Sequence, residues 1–177
     1  MTSKESTTIR DLQIIYPEVF RDNRGEYVET YARSKYNFKG ENGIRIEFVE
    51  DDISVSRQHV LRGLHGDRNT WKLIQCLHGS FLFVVVDLRK QSATYLRSES
   101  FTLSETNRIQ ILVPAGCANG HLCLSEKCIF SYKQSEYYSG AQNQFTLRWD
   151  HPKLNLEWPI SSPLLSARDR NAEFIEL

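Results

Sequence analysis

The chain has 177 residues, 25% of them charged and 40% apolar, with 22 basic side chains balanced by 22 acidic ones. A chain of that length is expected to form one globular domain that buries roughly two-thirds of its unfolded surface. The zero net charge excludes the basic footprint of a protein that binds nucleic acid through phosphates. No apolar run approaches the ~20 residues needed to cross a bilayer, so neither nucleic acid nor membrane is an expected partner. The amino-terminal run Met1-Thr2-Ser3-Lys4-Glu5-Ser6 lacks the apolar centre of a signal peptide, and a cytoplasmic location is expected.

Along the chain the first turn signal is Asn23-Arg24-Gly25, followed by Ala32–Phe38, which has room for at most a short helix, and then by Asn42-Gly43. Val60-Leu61-Arg62-Gly63-Leu64-His65-Gly66-Asp67 places an Arg and a His among glycines, where backbone can approach a ligand closely. Lys72 follows. Phe81–Val86 is a β-branched and aromatic run that reads as a buried strand. Ile109–Val113 is another, ended by Pro114 because proline cannot donate to a ladder. Ala118-Asn119-Gly120-His121 comes next. In Cys128–Tyr132 strand alternation groups Cys128, Phe130 and Tyr132 on one face. Ser139-Gly140 marks a turn before a last expected strand, Phe145–Trp149, and Asp169 stands near the end of Leu165-Ser166-Ala167-Arg168-Asp169. Many short strands without sustained helical periodicity predict an all-β sandwich or barrel.

The four cysteines, Cys76, Cys117, Cys123 and Cys128, form no CxxC pair. Buried free thiols are the expected state in a cytosolic chain. The sharper alternative is a nucleophilic Cys117 or Cys123, for which spacing identifies no activating partner. Taken singly, the polar residues also have plain explanations. His65 would be a turn histidine, Tyr132 a barrel-lining aromatic, Lys72 a solvated edge residue and Asp169 a turn acid.

Together they resemble a family. Phe20-Arg21-Asp22-Asn23-Arg24-Gly25, Leu61-Arg62-Gly63-Leu64-His65, Val86-Asp87-Leu88-Arg89-Lys90, Glu157-Trp158-Pro159 and Leu165-Ser166-Ala167-Arg168-Asp169 occur in the order found in the sugar-nucleotide epimerases typified by dTDP-4-dehydrorhamnose 3,5-epimerase. These are metal-free cupins. The resemblance implies a jelly-roll barrel with a few short helices, a homodimer, and a dTDP- or GDP-linked sugar bound in the barrel mouth. It assigns His65 as base, Asp169 as the carboxylate that orients it, Tyr132 as the acid on the opposite face of the sugar, and Lys72 as the cation near the ketone oxygen. Phe20, Arg24, Glu29 and Arg62 match positions that hold the nucleotide and its diphosphate. Glu50, Asn119, His121, Tyr138 and Arg168 complete the expected substrate contacts.

The chemistry explains these residue types. In a 4-keto sugar the C3 and C5 protons flank the carbonyl and are the acidic C–H groups. Removing one gives an enolate, and returning a proton to the other face inverts the carbon, so no redox cofactor is required. An imidazole suits the base because its ordinary pKa of ~6.5 lies near working pH. A carboxylate on its other nitrogen fixes the tautomer. Metal-binding cupins usually carry two histidines one residue apart, whereas here His65 is followed by Gly66-Asp67; no metal is expected.

The chain also departs from the family pattern. Ala118-Asn119-Gly120-His121 stands where the dTDP enzymes commonly read Ala-His-Gly-Phe, so Asn119 becomes a candidate donor to the enolate oxygen and His121 a substrate contact. The stretch from His65 to Lys72 is shorter and, with Asn143-Gln144-Phe145-Thr146, looks more like epimerases of GDP-4-keto-6-deoxy-heptoses. Glu50-Asp51-Asp52 replaces Gln-Asp-Asn and offers acceptors to a guanine base, while His151 before Pro152 is expected to be structural. The alternatives in view are a sugar-nucleotide 3,4-ketoisomerase and a non-catalytic cupin that binds a sugar nucleotide.

Overall fold

The structure, a computed structural model, describes residues 2–40 and 43–174. In chain order the strands are β1 (Ser3–Ser6), β2 (Gln13–Tyr16), β3 (Val19–Asp22), β4 (Gly25–Val28), β5 (Glu50–Arg57), β6 (Leu61–Gly66), β7 (Lys72–His78), β8 (Ser80–Asp87), β9 (Ser98–Ser104), β10 (Gln110–Val113), β11 (Cys117–Cys123), β12 (Lys127–Gln134) and β13 (Phe145–Thr146). A single-turn 3₁₀ helix covers Ala141–Asn143, and one short helix, α1, covers Ala167–Arg170. A six-stranded sheet runs β1-β2-β10-β7-β12-β5 and a five-stranded sheet runs β13-β6-β11-β8-β9, while β3 and β4 form a separate hairpin. Every paired strand is antiparallel. This is an all-β, cupin-like jelly roll.

Three apolar layers explain why some strands are apolar throughout. Phe81, Phe83 and Val85 of β8 point between the sheets and pack with Ile74, Ile111 and Phe130. Val84 and Val86, on the opposite side of the same strand, pack against Leu147 and Leu154 from the carboxy-terminal segment. With both faces covered, β8 has no solvent side to carry polar residues. In β10, Ile111 likewise faces inward while Leu112 packs outward on Tyr36, Phe38 and Ile46.

The segment Ala32–Phe38 forms no helix. Amide bonds from Lys35 and Tyr36 back to the Ala32 carbonyl close a single turn, after which Phe38 accepts from the Ile46 amide. Burying Tyr36 and Phe38 on the outer face of the six-stranded sheet outweighs a local helical preference. The last expected strand is short: only Phe145–Thr146 joins the sheet, and Leu147–Trp149 continues as irregular chain. Of the Asn42-Gly43 turn, Asn42 lies outside the described residues.

One irregularity positions the site. Across the β6–β11 ladder Asn119 pairs with His65, but His121 pairs with Arg62, so β6 carries an extra residue. A regular strand would send residues three apart to opposite faces. The bulge cancels that, and Arg62 and His65 line the same cavity. Gly63 makes the bulge possible. Its φ is +117°, and a Cβ there would lie 2.6 Å from the Gly120 Cα.

Candidate active site

A cavity of about 300 Å³ opens between the two sheets. The five-stranded sheet contributes Arg62, His65, Asn119 and His121 to its wall, and the six-stranded sheet contributes Ser54, Lys72, Phe130, Tyr132 and Gln134. Tyr138, Gln144, Ser166, Arg168 and Asp169 close it from the connecting segments.

His65 and Asp169, 104 residues apart in sequence, are joined by a 2.5 Å contact between Nε2 and Oδ1. Asp169 is fixed locally by the cap of α1. The Ser166 hydroxyl donates to its Oδ2 at 2.9 Å, and the Asp169 amide donates to the Ser166 oxygen at 3.1 Å, as at a helix N-terminus. Burial alone would raise the Asp169 carboxyl. The bonds from His65, Ser166 and the Gly63 amide outweigh it and hold the group below its usual value. With Nε2 engaged, Nδ1 is the imidazole nitrogen left to take a proton. The Asn119 amide nitrogen donates to the His65 carbonyl at 3.1 Å.

Opposite this pair, Tyr132 projects from β12. Burial, with the charges of Asp52 and Glu50 behind it, pushes its phenol up to about 12. Lys72 is not the solvated edge residue that its neighbours in sequence suggest. It is 8% exposed, and its ammonium lies 5.8 Å from the centre of the Tyr132 ring. Burial lowers its pKa from the ordinary lysine value.

His121 is buried and lies flat on Phe130. Its Nε2 finds no hydrogen-bond partner among the described residues. Burial, and then the Arg62 charge, drive its pKa down to about 3, so the ring is neutral. Arg62 donates to the Ser56 hydroxyl and the Val55 carbonyl, and Arg168 is held by the Thr146 hydroxyl and Gln144. Glu50 stands behind the wall, accepting from Gln134 at 2.9 Å and from the Tyr138 amide at 3.0 Å.

Three expected contacts do not join the cavity within this chain. Phe20 and Arg24 lie in the β3–β4 hairpin, where Phe20 packs on Tyr27 and Arg24 pairs with Asp22. Glu29 pairs with Lys35 at 2.8 Å. The hairpin forms its own two-stranded sheet, so its side chains are carried away from the barrel interior. Sequence reasoning also missed Gln134, which carries no motif and becomes visible only through strand register, and it read Gln144 only as part of the Asn143-Gln144-Phe145-Thr146 run.

A second cavity of about 410 Å³ shares Gln134, Tyr138 and Gln144 with the first and adds Asp67, Asn69, Thr70, Glu136 and Tyr137. Asp67 spends one carboxylate oxygen on the Asn69 and Thr70 amides, which fixes the short stretch before Lys72. The cysteines are free and buried. Burial pushes the Cys76 and Cys117 thiols up to about 12, away from thiolate chemistry. His151 is buried, accepts from the Lys153 amide and packs on Phe174, which agrees with a structural part.

Residues 6–176 match the family model described as dTDP-4-dehydrorhamnose 3,5-epimerase. The chain belongs to the dTDP-4-dehydrorhamnose 3,5-epimerase family. It is 38% identical over 170 residues to the dTDP-4-dehydrorhamnose 3,5-epimerase of Methanothermobacter thermautotrophicus, covering 93% of this chain and 90% of the relative. The Shigella flexneri enzyme of the same name is also 38% identical, with 94% and 92% covered. Among solved structures, the Bacillus anthracis epimerase with TDP and pyrophosphate bound superposes with a TM-score of 0.90 at 34% identity, covering 99% of this chain and all of the other. The Legionella pneumophila epimerase in complex with dTDP-4-keto-L-rhamnose also gives 0.90, at 33% identity, with 98% and 93% covered. As a member of this family the chain is an isomerase, a sugar-nucleotide epimerase.

Proposed function

We propose that the cavity inverts C3, C5 or both of a nucleoside-diphosphate-linked 4-keto-6-deoxy sugar by enolisation, with residues of this chain alone carrying the protons. The observation that carries this reading is the placement of an imidazole–carboxylate pair on one wall of the cavity and a half-buried phenol on the facing wall. His65 takes the proton next to the ketone, and Asp169 stabilises the imidazolium that forms. Tyr132 delivers a proton to the opposite face. Lys72 holds the enolate oxygen, with Asn119 as a neutral donor beside it. Arg62 and Arg168 line the same cavity and suit the diphosphate, because a guanidinium can hold two oxygens at once.

The nucleotide fits the second cavity, where the rings of Tyr137 and Tyr138 offer stacking surfaces. The solved relatives that hold TDP or a dTDP sugar favour dTDP. A GDP-linked sugar is the second reading, favoured by the carboxylates of Asp67 and Glu136 in that cavity and by Glu50 beside it, which can accept from guanine N–H groups. A thermal-shift panel of dTDP, GDP and UDP separates the two, since a ligand that binds only the folded chain raises its melting temperature. We place the enzyme in the cytoplasm as a homodimer. Ile53 and Val55 are more than half exposed on β5, which ends its sheet, and Phe20 and Tyr27 are exposed on the β3–β4 hairpin. Burying these in a second copy would remove apolar surface from water, and a hairpin reaching across would reconcile Phe20, Arg24 and Glu29 with their expected part in nucleotide binding.

The test is solvent deuterium exchange. With a dTDP- or GDP-linked 4-keto-6-deoxy sugar in D₂O, deuterium is expected at C3, C5 or both by NMR. Tight binding of a nucleotide sugar with no exchange at either carbon would instead identify a non-catalytic binding protein.

A further inference from the structure

Each inversion in the reading above, on which this inference rests, leaves the enzyme with a protonated His65 and a deprotonated Tyr132. His65 has a side chain 24% exposed and can discharge toward solvent. Tyr132 is packed against the inner core, and its phenolate must regain a proton before the next inversion.

Two groups stand close to it. Lys72 lies over the ring face. Asp52 lies directly across the β5–β12 ladder from Tyr132, which sets its carboxylate beside the phenol. Asp52 is in turn within hydrogen-bond reach of Glu50, two residues along the same face of β5. Carboxyl groups held this close disfavour two adjacent negative charges, which eases protonation of Asp52. Gln134, which pairs with Glu50 across the ladder, holds them together: its amide nitrogen donates to Glu50 at 2.9 Å and to Asp52 at 3.2 Å. The Tyr138 amide takes the other Glu50 oxygen. Nearby charges do not discharge the pair. Lys133 is committed to Asp51 at 2.5 Å on the other face of the strand, and Lys72 and Tyr138 are the remaining titratable groups beside it. Burial first, and then Glu50, keep the Asp52 carboxyl above its usual range.

We propose that Glu50 and Asp52 hold the proton that resets Tyr132 after each inversion. When the phenol has protonated the enolate carbon, the O–H bond of Asp52 breaks as a new Tyr132 O–H bond forms, and the negative charge passes to the carboxyl pair. Water then returns a proton to the pair. The transfer runs downhill, since a carboxylic acid is far stronger than a phenol pushed up to about 12. Neither acid touches the sugar. Both are positioning residues that act through Tyr132.

The experiment follows deuterium uptake from D₂O into dTDP-4-keto-6-deoxyglucose by rapid quench, comparing the unsubstituted enzyme with Asp52→Asn, Glu50→Gln and Asp52→Glu. Asp52→Asn is expected to incorporate the first deuteron per active site at a rate within about twofold of the parent, because its phenol starts protonated. Later turnovers should slow by about tenfold or more, and added acetate should speed that second phase. Glu50→Gln should behave similarly, and Asp52→Glu should restore uniform kinetics. Parallel slowing of both phases, or no slowing in either carboxamide variant, overturns the proposal and points to Lys72 or to a structural part for the pair. If the unsubstituted enzyme exchanges neither this sugar nor its GDP-linked counterpart, the epimerase reading falls and the relay with it; exchange by the parent with unaffected variants removes the relay alone.

Discussion

His121 lies flat on Phe130, with ring centroids 4.2 Å apart and planes within 8°. The stack buries a neutral imidazole at the bottom of the cavity, and its folded pKa of about 3 lies far below the unfolded value of ~6.5. A histidine that resists protonation only when folded costs nothing at neutral pH and destabilises as pH falls from 6.5 toward 3, because the unfolded chain gains the proton. At pH 5 the penalty is about 2 kcal/mol. His121→Phe, which keeps the stack, should therefore lose less stability than the parent between pH 7 and pH 5, measured by urea unfolding. If Nε2 meets the substrate, the same variant should also lose kcat/KM by about tenfold.

Asp169→Asn should leave the protein folded and reduce turnover by about 10²–10⁴-fold, because the amide cannot stabilise an imidazolium. His65→Ala should be inactive with an unchanged circular dichroism spectrum. Near-normal turnover in it would remove His65 as the base. The depressed Asp169 carboxyl also makes a stability statement. Its contribution is complete above the unfolded value of ~3.9 and is lost as pH falls through the lower folded value. The acid limb of the unfolding curve should therefore flatten in Asp169→Asn.

Lys72→Gln removes the buried ammonium while keeping a polar chain of similar length. Loss of one oxyanion-stabilising group is worth about 3–4 kcal/mol, or roughly 10²–10³ in kcat. Steady-state kinetics should show that loss chiefly in kcat. A change confined to KM would place Lys72 on the nucleotide instead of the ketone.

Gly63→Ala should be more damaging than its size suggests. The residue combines φ +117° with a Cβ position 2.6 Å from the Gly120 Cα and 2.8 Å from the Asn119 carbonyl. Strain at such a site is about 1–3 kcal/mol before any clash. The expected result is a lower melting temperature together with loss of activity, since relief of the clash would move His65. Gly25→Ala serves as the comparison: its φ of +130° makes the substitution strained as well, but nothing lies within 4 Å of the added Cβ, so its loss of melting temperature should be smaller.

The buried strands were legible from apolar runs alone, as in Phe81–Val86, because β8 is covered on both faces. β5 and β11 gave weaker signals, since their inward faces carry site residues: Asp52 and Ser54 in one, Asn119 and His121 in the other. The β-character of Phe145 extended too far because Leu147, although buried, packs in irregular chain. Resemblance rather than spacing pointed to His65 and Asp169 together, a pairing made by a four-residue helix that no periodicity could announce. The grouping of Arg62 with His65 depends on a bulge, and alternation counted along β6 argues against it. Lys72 read as an edge residue because burial by a facing sheet leaves no trace in neighbouring sequence.

His65 and Tyr132 belong to different sheets, joined across an apolar filling of residues such as Phe83 and Ile111. The thickness of that filling sets the gap between the two side chains, so under the proposed mechanism the barrel acts as a caliper on its own chemistry. A misplacement of about 1 Å can cost around 100-fold in rate. Trimming a side chain that never meets the sugar, Ile111→Val for example, should thus be felt in turnover while the fold still tolerates it.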